Sequence, residues 1–207
     1  MSIPTLRIPN LAAADVEEGK QLLRSAIREH RKQRSRKLLE RLGQSWAQTI
    51  LPLLDGRHRV ACYVSTGFEP PSLPTILALH ESGKEILLPK LGPGLSRCWG
   101  IFTDVDSLVN MAPGRPPEPD GPAYPNEILH DVDALIIPAL AVSRQGARLG
   151  QGGGWYDRAL KKAHPNALIG AMIFDEELLS EEIPQDEMDV RVPYVFHPEQ
   201  VIRTATA

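Results

Sequence analysis

The feature that most constrains the fold is an apolar run at residues 133–142, DALIIPALAV, which a glycine-rich loop follows closely. The run is rich in Ile and Leu and is interrupted only by Pro138. A strand with apolar residues at successive positions buries both of its faces, as the central strands of parallel sheets do. The run therefore predicts a central strand in a parallel sheet.

The loop after this strand is glycine-rich, and a helix-compatible segment, WYDRALKKAH, begins at residue 155. The glycines are Gly146, Gly150, Gly152, Gly153 and Gly154. Glycines let backbone N–H groups approach an anion closely, and a helix N-terminus adds unpaired donors and a partial positive charge. The order of strand, glycine loop and helix therefore predicts an anion-binding loop, with phosphate as the natural guest.

Asp157 lies in the first turn of the expected helix, where the helix dipole favours a carboxylate. This carboxylate could hold a magnesium ion against bound phosphates, or it could only cap the helix, with Arg158 as a surface charge. The loop lacks the Gly-Lys-Ser/Thr of the P-loop and the distant acidic residue of the dinucleotide fingerprint. Spacing alone therefore indicates an anion site and leaves both interpretations of Asp157 open.

Alternating strand and helix patterns predict an α/β fold, a three-layer α/β/α domain with a mainly parallel sheet and a site at the carboxyl ends of the strands. A strand followed by a turn is expected at residues 59–67, and further strands are expected at residues 84–91, 133–142 and 166–174. Helices are expected from Asp15, from Ser35 to just before Pro52, and near Thr75. Residues 1–14 are expected to form a flexible N-terminal arm, and residues 15–207 a single domain.

Composition argues against several classes of protein. The formal net charge of -3 does not fit a nucleic-acid binder. No apolar stretch reaches membrane-spanning length, and the N-terminus does not match a signal peptide. Cys62 and Cys98 form no metal-ligand pattern, and the six histidines are scattered. We therefore expect a reduced, cytoplasmic protein without a membrane or nucleic-acid partner.

The first helix and the turn after it carry a basic run at residues 24–37, which only Glu29 opposes. Lys20 and Arg24 are four residues apart, so both project from one side of the helix. The run can be a solvated helix face, a nucleic-acid patch or a source of cations for a bound nucleotide. A nucleic-acid patch would need aromatic residues and overall positive charge, both of which are missing.

Residues 92–126 are rich in Pro and Gly and are expected to form a long irregular segment. In a compact domain such a segment is usually a functional lid or an excursion. It contains three aromatic residues, Trp99, Phe102 and Tyr124. Each of these could contact a ligand or pack beneath the loop.

The motif RLGQGGGWYDR at residues 148–158 resembles the signature of the 5-formyltetrahydrofolate cyclo-ligase family. Members of that family usually read Arg-Leu-Gly-x-Gly-x-Gly-Tyr-Tyr-Asp-Arg here, after a hydrophobic strand that ends in a Pro-x-Leu-Ala turn. The resemblance extends from Lys20 to about Ile202. It implies an enzyme that uses ATP and Mg²⁺ to convert 5-formyltetrahydrofolate to 5,10-methenyltetrahydrofolate, with release of ADP and phosphate.

The resemblance also implies a nucleotide site. Family members open their first helix with a Lys-x-x-x-Arg pair that reaches ATP, and Lys20 and Arg24 match this pair. The catalytic role is expected to fall on Lys20 and Arg148. The residues expected around ATP are Lys20, Arg24, Arg148, Leu149, Gly150, Gln151, Gly152, Gly153, Gly154, Trp155 and Tyr156.

A magnesium site is implied as well. In the family, an Asp near the C-terminus, usually after His, joins the Asp of the glycine motif in binding magnesium. Asp189 and Asp157 match these two positions, although Met188 stands where the His would be. Without the resemblance, Asp189 would be read as part of a solvated acidic turn.

For the folate, the family segment Tyr-x-Ser-x-x-x-Glu-Val-x-Thr carries a Glu with an apolar residue five positions before it, and Glu69 and Val64 match these. A carboxylate can accept the hydrogen bonds that the amino-pyrimidinone edge of a pterin donates. From its place in the sequence alone, Glu69 could instead be an exposed loop acid. The residues expected around the folate are Val64, Glu69, Gln151, Gly152, Gly153, Gly154 and Trp155.

The chain departs from the family pattern near the glycine motif. Gln151 replaces a residue that is usually aromatic or basic, and Trp155 replaces the first Tyr. The remaining departures are Ala139, Val142 and Ser143. An alternative to the enzyme is therefore a catalytically weak nucleotide- or folate-binding regulatory protein of the same fold. In both cases the expected partners are small molecules, ATP and 5-formyltetrahydrofolate, and the expected state is a monomer.

Overall fold

The computed structural model describes residues 5–206. Its helices are α1 Val16–Arg31, α2 Arg36–Leu53, α3 Leu73–Glu81 and α4 Trp155–Leu160. Its strands are β1 Arg59–Ala61, β2 Glu85–Leu91, β3 Arg97–Phe102, β4 Leu108–Val109, β5 Glu118–Pro119, β6 Tyr124–Pro125, β7 Ala134–Pro138, β8 Ala141–Ser143, β9 Arg148–Leu149, β10 Leu168–Met172, β11 Leu178–Leu179, β12 Tyr194–Phe196 and β13 Val201–Arg203. Within this range no helix has both the length and the apolar character needed to span a bilayer.

An eight-stranded sheet organises the domain, in the order β13-β12-β10-β7-β1-β2-β3-β6. The five strands from β12 to β2 run parallel, and the strands outside them pair antiparallel. Strand β7 lies between β10 and β1, and its first four residues are buried. The predicted central strand and the predicted mainly parallel sheet are therefore confirmed.

Side chains alternate between the two faces of the sheet, and each face has its own core. Val60 and Ile136 point into a cluster that also contains Trp46 of α2 and Ile76 of α3. Their chain neighbours Ala61, Leu135 and Ile137 belong to a second cluster, which contains Ala159 and Leu160 of α4. Because a strand side chain alternates between faces, this division places helices on both sides of the sheet, as the three-layer prediction requires.

Helix α1 packs away from the main sheet, against a small sheet in the order β11-β8-β9. Leu23 and Ile27 of the helix share a buried cluster with Leu140 and Leu149 beside that sheet. The helix begins where the sequence predicts, since the side chain of Asp15 accepts a hydrogen bond of 2.8 Å from the Glu18 amide. This packing holds one face of α1 against the strand that leads into the glycine loop.

Two details of the prediction are wrong. Helix α2 does not end before Pro52 but includes it, and it does so without the hydrogen bond that an N–H at this position would donate to the Gln48 carbonyl. The chain then tightens, with a hydrogen bond of 3.2 Å from the Leu54 amide to the Leu51 carbonyl. Residues 92–126 are not irregular throughout, since β3 pairs with β2 from Ile86 to Leu91 and extends the main sheet.

The N-terminal arm lies partly outside the described residues, which begin at residue 5. Leu6 is buried against the cluster that holds α1, and Ile8 and Leu11 pack beside it. The flexibility of the arm and the single-domain boundary at residue 15 remain predictions.

Candidate active site

The glycine loop occupies residues 150–154, between β9 and α4, beside the carboxyl end of β7. Gly152 and Gly154 have φ angles of +103° and +58°, which residues with a Cβ rarely adopt, so the loop needs glycine at both positions. Among the described residues, the amides of 150–154 donate no hydrogen bond to a protein acceptor. The loop thus presents a set of free N–H donors immediately before a helix N-terminus.

Arginines of α1 hold the carbonyl groups of this loop. The Nε of Arg24 donates to the Gly150 carbonyl at 3.1 Å, and Nη2 of Arg28 donates to the Gln151 carbonyl at 3.1 Å. In a trans peptide the C=O and the following N–H point in opposite directions. The arginines therefore turn the amides of Gln151 and Gly152 away from themselves and fix the direction in which those donors face.

Two further arginines hold the same loop from other elements. Nη2 of Arg97 on β3 and Nη2 of Arg158 on α4 each donate to the Gly153 carbonyl at 2.8 Å. Arg158 is exposed and Arg97 is half-buried. Four guanidinium groups therefore contact the carbonyls of the loop and attach it to α1, α4 and the main sheet.

Arg148 lies buried beneath the loop and makes an ion pair with Asp157. Its Nη2 donates to Asp157 Oδ1 at 2.8 Å, and its Nη1 donates to the Pro138 carbonyl at 3.3 Å. The Asp157 carboxylate also lies 3.4 Å from the Val190 amide. Asp157 thus neutralises the buried guanidinium of Arg148, a residue that is only 5% exposed.

Lys20 makes a second buried ion pair. Its Nζ donates to Asp186 Oδ2 at 2.7 Å and also to Asp189 Oδ2. Burial by itself lowers the pKa of a lysine, but hydrogen bonds to the two carboxylates outweigh it and raise the pKa of Lys20. The same contact with Lys20 lowers the pKa of Asp186. Lys20 is therefore charged at neutral pH.

These two ion pairs have the same composition. In each, a cation that the resemblance assigns to phosphate contacts a carboxylate that it assigns to magnesium: Lys20 with Asp189, and Arg148 with Asp157. The four side chains come from positions between 20 and 189 and meet beside one loop. No local spacing in the sequence indicates that Asp186 contacts a lysine 166 residues earlier.

A cavity of about 290 Å³ lies over the loop. Every residue expected around ATP and every residue expected to bind metal contributes to its lining. Beyond those, the lining includes Glu17, Pro138, Arg158, Asp186 and Met188. The structure therefore brings the predicted nucleotide and metal residues together, while the role of each remains a prediction.

A larger cavity of about 460 Å³ adjoins the first, since Pro138, Trp155 and Tyr156 line both. Val64 and Glu69, the residues expected at the folate, line this second cavity, together with Tyr63 and Thr66. Gln151 and the glycines line the smaller cavity instead. The predicted folate residues thus divide between the two cavities, which share one wall.

A hydrogen bond connects Glu69, in the lining of the larger cavity, to Gln151, in the lining of the smaller one. Its Oε2 accepts a hydrogen bond of 2.8 Å from the Thr66 amide, and its Oε1 accepts one of 2.9 Å from Gln151 Nε2. The Gln151 Oε1 in turn accepts from Arg28 Nη2 at 2.8 Å. The acid is half-buried and held in position, so it is not simply a mobile loop acid.

Two tyrosines stand at the wall of the larger cavity. Burial raises the pKa of Tyr63 and of Tyr156 well above the usual range of a phenol. Tyr63 donates its hydroxyl proton to the Pro70 carbonyl at 2.6 Å, which fixes the turn that carries Glu69. Both phenols are therefore neutral at physiological pH and can act only as hydrogen-bonding or apolar groups.

The excursion at residues 92–126 lines the far side of the larger cavity. Its contribution consists of Leu95, Arg97, Arg115, Pro116, Pro117 and Glu118. Trp99 and Phe102 are buried and pack within the domain, and the Trp99 ring lies 6.5 Å from Trp155 and 6.4 Å from Tyr156. Trp99 and Phe102 therefore have the packing role rather than the ligand-binding role. Trp99 supports Trp155 and Tyr156, which lie between the two cavities.

The donor chemistry fits a magnesium site that phosphate would complete. No group of three or more His, Cys, Asp or Glu side chains within the described range could hold a metal on its own. Asp157 and Asp189, however, line one cavity with the free amides of the loop. Magnesium is commonly bound by one or two carboxylates, with substrate phosphates and water supplying the remaining oxygens, and this pair matches that pattern.

The fold and this site define the class of protein: an α/β enzyme with an anion-binding loop next to a second substrate cavity. Comparison with known proteins gives its family. Residues 16–198 match the model of the 5-formyltetrahydrofolate cyclo-ligase family. The chain belongs to this family, which confirms the resemblance seen in the glycine motif and the cyclo-ligase activity that follows from it.

Individual relatives agree. The chain is 35% identical over 193 residues to a 5-formyltetrahydrofolate cyclo-ligase of Mycolicibacterium smegmatis, an alignment that covers 89% of this chain and 96% of the relative. It is 30% identical over 182 residues to that of Escherichia coli, covering 84% and 98%.

Among solved structures, the chain resembles the 5,10-methenyltetrahydrofolate synthetase of Aquifex aeolicus, with a TM-score of 0.73 and 26% identity over 89% of this chain and 92% of that one. A synthetase from Mycoplasma pneumoniae, at 17% identity, shares the fold with a TM-score of 0.66 and covers 86% of this chain and 97% of its own.

Proposed function

We propose that this chain converts 5-formyltetrahydrofolate to 5,10-methenyltetrahydrofolate in an ATP- and Mg²⁺-dependent reaction, and that the two adjoining cavities hold the two substrates. The observation that carries the proposal is their shared wall of Pro138, Trp155 and Tyr156. A phosphoryl group can pass from a nucleotide on the glycine loop to an acceptor in the larger cavity only if the two sites meet.

On the nucleotide side, the free amides of the glycine loop bind the phosphates, and Lys20, Arg24 and Arg148 neutralise them. The rest of the nucleotide lies along Leu149, Gln151, Trp155 and Tyr156 in the same cavity. Asp157 and Asp189 would hold the magnesium ion, which neutralises charge on the transferring phosphoryl group.

On the folate side, Val64 and Trp155 contact the pterin with apolar surface, and Glu69 accepts hydrogen bonds from its amino-pyrimidinone edge. Gln151 keeps the Glu69 carboxylate in place through its 2.9 Å hydrogen bond. The glycines of the loop bring the phosphate within reach of the bound formyl group. No side chain has to act as a covalent nucleophile.

The chemistry needs ATP because a formamide oxygen is a poor leaving group. Transfer of a phosphoryl group to that oxygen makes the formyl carbon electrophilic and turns the oxygen into part of a leaving phosphate. The N10 amine then attacks the carbon, closes the ring and displaces phosphate. Positioning and charge neutralisation, rather than acid or base catalysis, account for most of the rate.

We also propose that the protein works as a cytoplasmic monomer with no nucleic-acid partner. The acidic net charge supports the absence of a nucleic-acid partner, and so do the contacts of the arginines on α1, because Arg24 and Arg28 bind loop carbonyls and Arg31 pairs with Glu177 at 2.7 Å.

The test of the function is an absorbance assay. The chain is mixed with 5-formyltetrahydrofolate, ATP and magnesium, and the near-ultraviolet absorbance of methenyltetrahydrofolate is followed. We expect absorbance to rise only when all three are present. If nucleotide binds but no absorbance develops, the chain is the regulatory protein that the departures at Gln151 and Trp155 leave possible.

A further inference from the structure

Three buried hydrogen-bond donors at the junction of the cavities lack a partner within the described part of the chain. They are Arg97 Nη1, Arg148 Nε and Trp155 Nε1. A buried donor without a partner costs about 1–3 kcal/mol, so proteins rarely retain one without a reason. Since two of the three belong to cationic side chains, an anionic acceptor would satisfy them best.

Arg97 occupies the position best suited to such an acceptor. It lies at the start of β3 and lines the larger cavity. Its Nη2 donates to the Gly153 carbonyl of the phosphate loop at 2.8 Å, and its Cζ lies 5.6 Å from the centre of the Trp155 ring. The guanidinium therefore touches the loop of one cavity while it borders the other.

We propose that Arg97 is a further catalytic residue, which binds an oxygen of the γ-phosphoryl group through Nη1 before and during its transfer to the folate. This inference rests on the proposed function and adds a cation that neither the glycine motif nor the family resemblance assigns. A planar guanidinium suits the role, because Nη2 can keep its hydrogen bond to the Gly153 carbonyl while Nη1 binds phosphate.

In the transfer that Arg97 assists, the formyl oxygen attacks the γ-phosphorus of ATP. The bond from that phosphorus to the bridging oxygen breaks, and ADP leaves with the electron pair. When N10 closes the ring, the carbon–oxygen bond breaks and the oxygen departs with the phosphate, while the N10 proton passes to solvent. Arg97 neutralises charge on the phosphoryl oxygens in both steps and exchanges no proton.

A purely positional role is the rival interpretation, because Arg97 also holds the loop. Arg158 provides the matched comparison, since its Nη2 donates to the same Gly153 carbonyl at the same 2.8 Å. If holding that carbonyl is all that matters, Arg97→Ala and Arg158→Ala should behave alike. If Arg97 binds the γ-phosphoryl group, only its loss should distinguish ATP from ADP.

The test is calorimetric titration of the unsubstituted chain and of both variants with ADP and with a non-hydrolysable ATP analogue, in magnesium. We expect Arg97→Ala to weaken the analogue about tenfold to a hundredfold, the effect of one charge-assisted hydrogen bond, and ADP less than about threefold. Arg158→Ala should weaken both ligands to the same degree. Equal losses for both ligands in Arg97→Ala, or no loss, would overturn the proposal.

Circular dichroism checks that each variant is folded, and Arg97→Gln replaces Arg97→Ala if the alanine variant is not. Absence of ring closure by the unsubstituted chain refutes the proposed function, whereas the ratio of analogue to ADP affinity in the variants decides the role of Arg97.

Discussion

A buried ammonium group needs acidic partners, and Lys20 has two. Lys20 is only 4% exposed, and an unpaired cation buried to this extent would strongly destabilise the fold, so Lys20 depends on Asp186 and Asp189. Arg148 and Asp157 repeat the arrangement. In the proposed reaction, phosphate would replace the carboxylate at each cation and leave the carboxylate for a divalent ion.

Asp157 therefore has a specific predicted phenotype. We expect Asp157→Ala to abolish ATP-dependent turnover, a loss of about a hundredfold or more, in a chain that still folds but is less stable because Arg148 loses its carboxylate partner. Asp157→Asn should lose nearly as much, since the amide keeps the size of the side chain but not its charge. Turnover and circular dichroism measure the two effects. Asp106→Asn, at an exposed position, is the control, and unchanged turnover in Asp157→Ala would refute the metal role.

Replacement of Glu69 should weaken the binding of the folate substrate and not that of ATP. We expect Glu69→Gln to raise the KM for 5-formyltetrahydrofolate about tenfold to a hundredfold, the cost of a lost hydrogen bond to a charged acceptor. The KM for ATP should change less than twofold, because Glu69 lines only the larger cavity of the two. Steady-state kinetics with each substrate varied in turn separates the effects. Equal rises in both KM values would place Glu69 outside the folate site.

At the residue scale, the sequence predicts which residues of the glycine motif and which two acids, Asp157 and Asp189, belong to the site. It can do so because the motif is long enough to be matched to a family. It does not predict Arg28, Arg97 or Asp186. Arg97 contacts a carbonyl 56 residues later, and Lys20 contacts an acid 166 residues later. Contacts of this kind depend on the path of the chain through the sheet, and no local spacing encodes them.

At the scale of elements, the parallel sheet depends on close packing between neighbouring strands. Gly170 on β10 lies beneath the ring of Phe196 on β12, and a Cβ at Gly170 would lie only 2.1 Å from Phe196 Cζ. The absence of a side chain at Gly170 leaves space for the outer end of this ring, and Phe196 is fully buried in the core.

We therefore expect Gly170→Ala to lower the free energy of unfolding by about 1–3 kcal/mol, the usual cost of overpacking a core. Urea unfolding followed by circular dichroism measures the change. Turnover per folded molecule should be unaffected, because neither cavity includes this position. Phe196→Leu in the same background should restore part of the loss. A midpoint that does not move would contradict this packing account.

Elements with a strong periodic pattern are predicted well, and those set by tertiary pairing are not. Strand β7 and helix α1 follow directly from apolar runs and a capping Asp15. Strand β3 is hidden within a segment rich in Pro and Gly, and it forms because β2 offers it an unpaired edge. Helix α4 is only six residues long, shorter than its sequence suggests, since the chain turns away after Leu160.

At the scale of the whole molecule, the site gathers its parts from almost the entire chain. Helix α1 brings Lys20, the loop after β1 brings Glu69, the end of β7 brings Pro138, and a C-terminal turn brings Asp189. The parallel strands place their carboxyl ends at one edge, so loops distant in sequence meet there. The edge strand β3 then adds Arg97 and closes the far wall of the larger cavity.

The central claim is that a phosphoryl group passes from the nucleotide cavity to the formyl oxygen in the folate cavity. The most direct measurement uses 5-formyltetrahydrofolate labelled with ¹⁸O in its formyl group and follows the label by mass spectrometry of the released phosphate. We predict one ¹⁸O atom in each phosphate formed. Phosphate free of label, formed at the same rate as methenyltetrahydrofolate, would contradict the account.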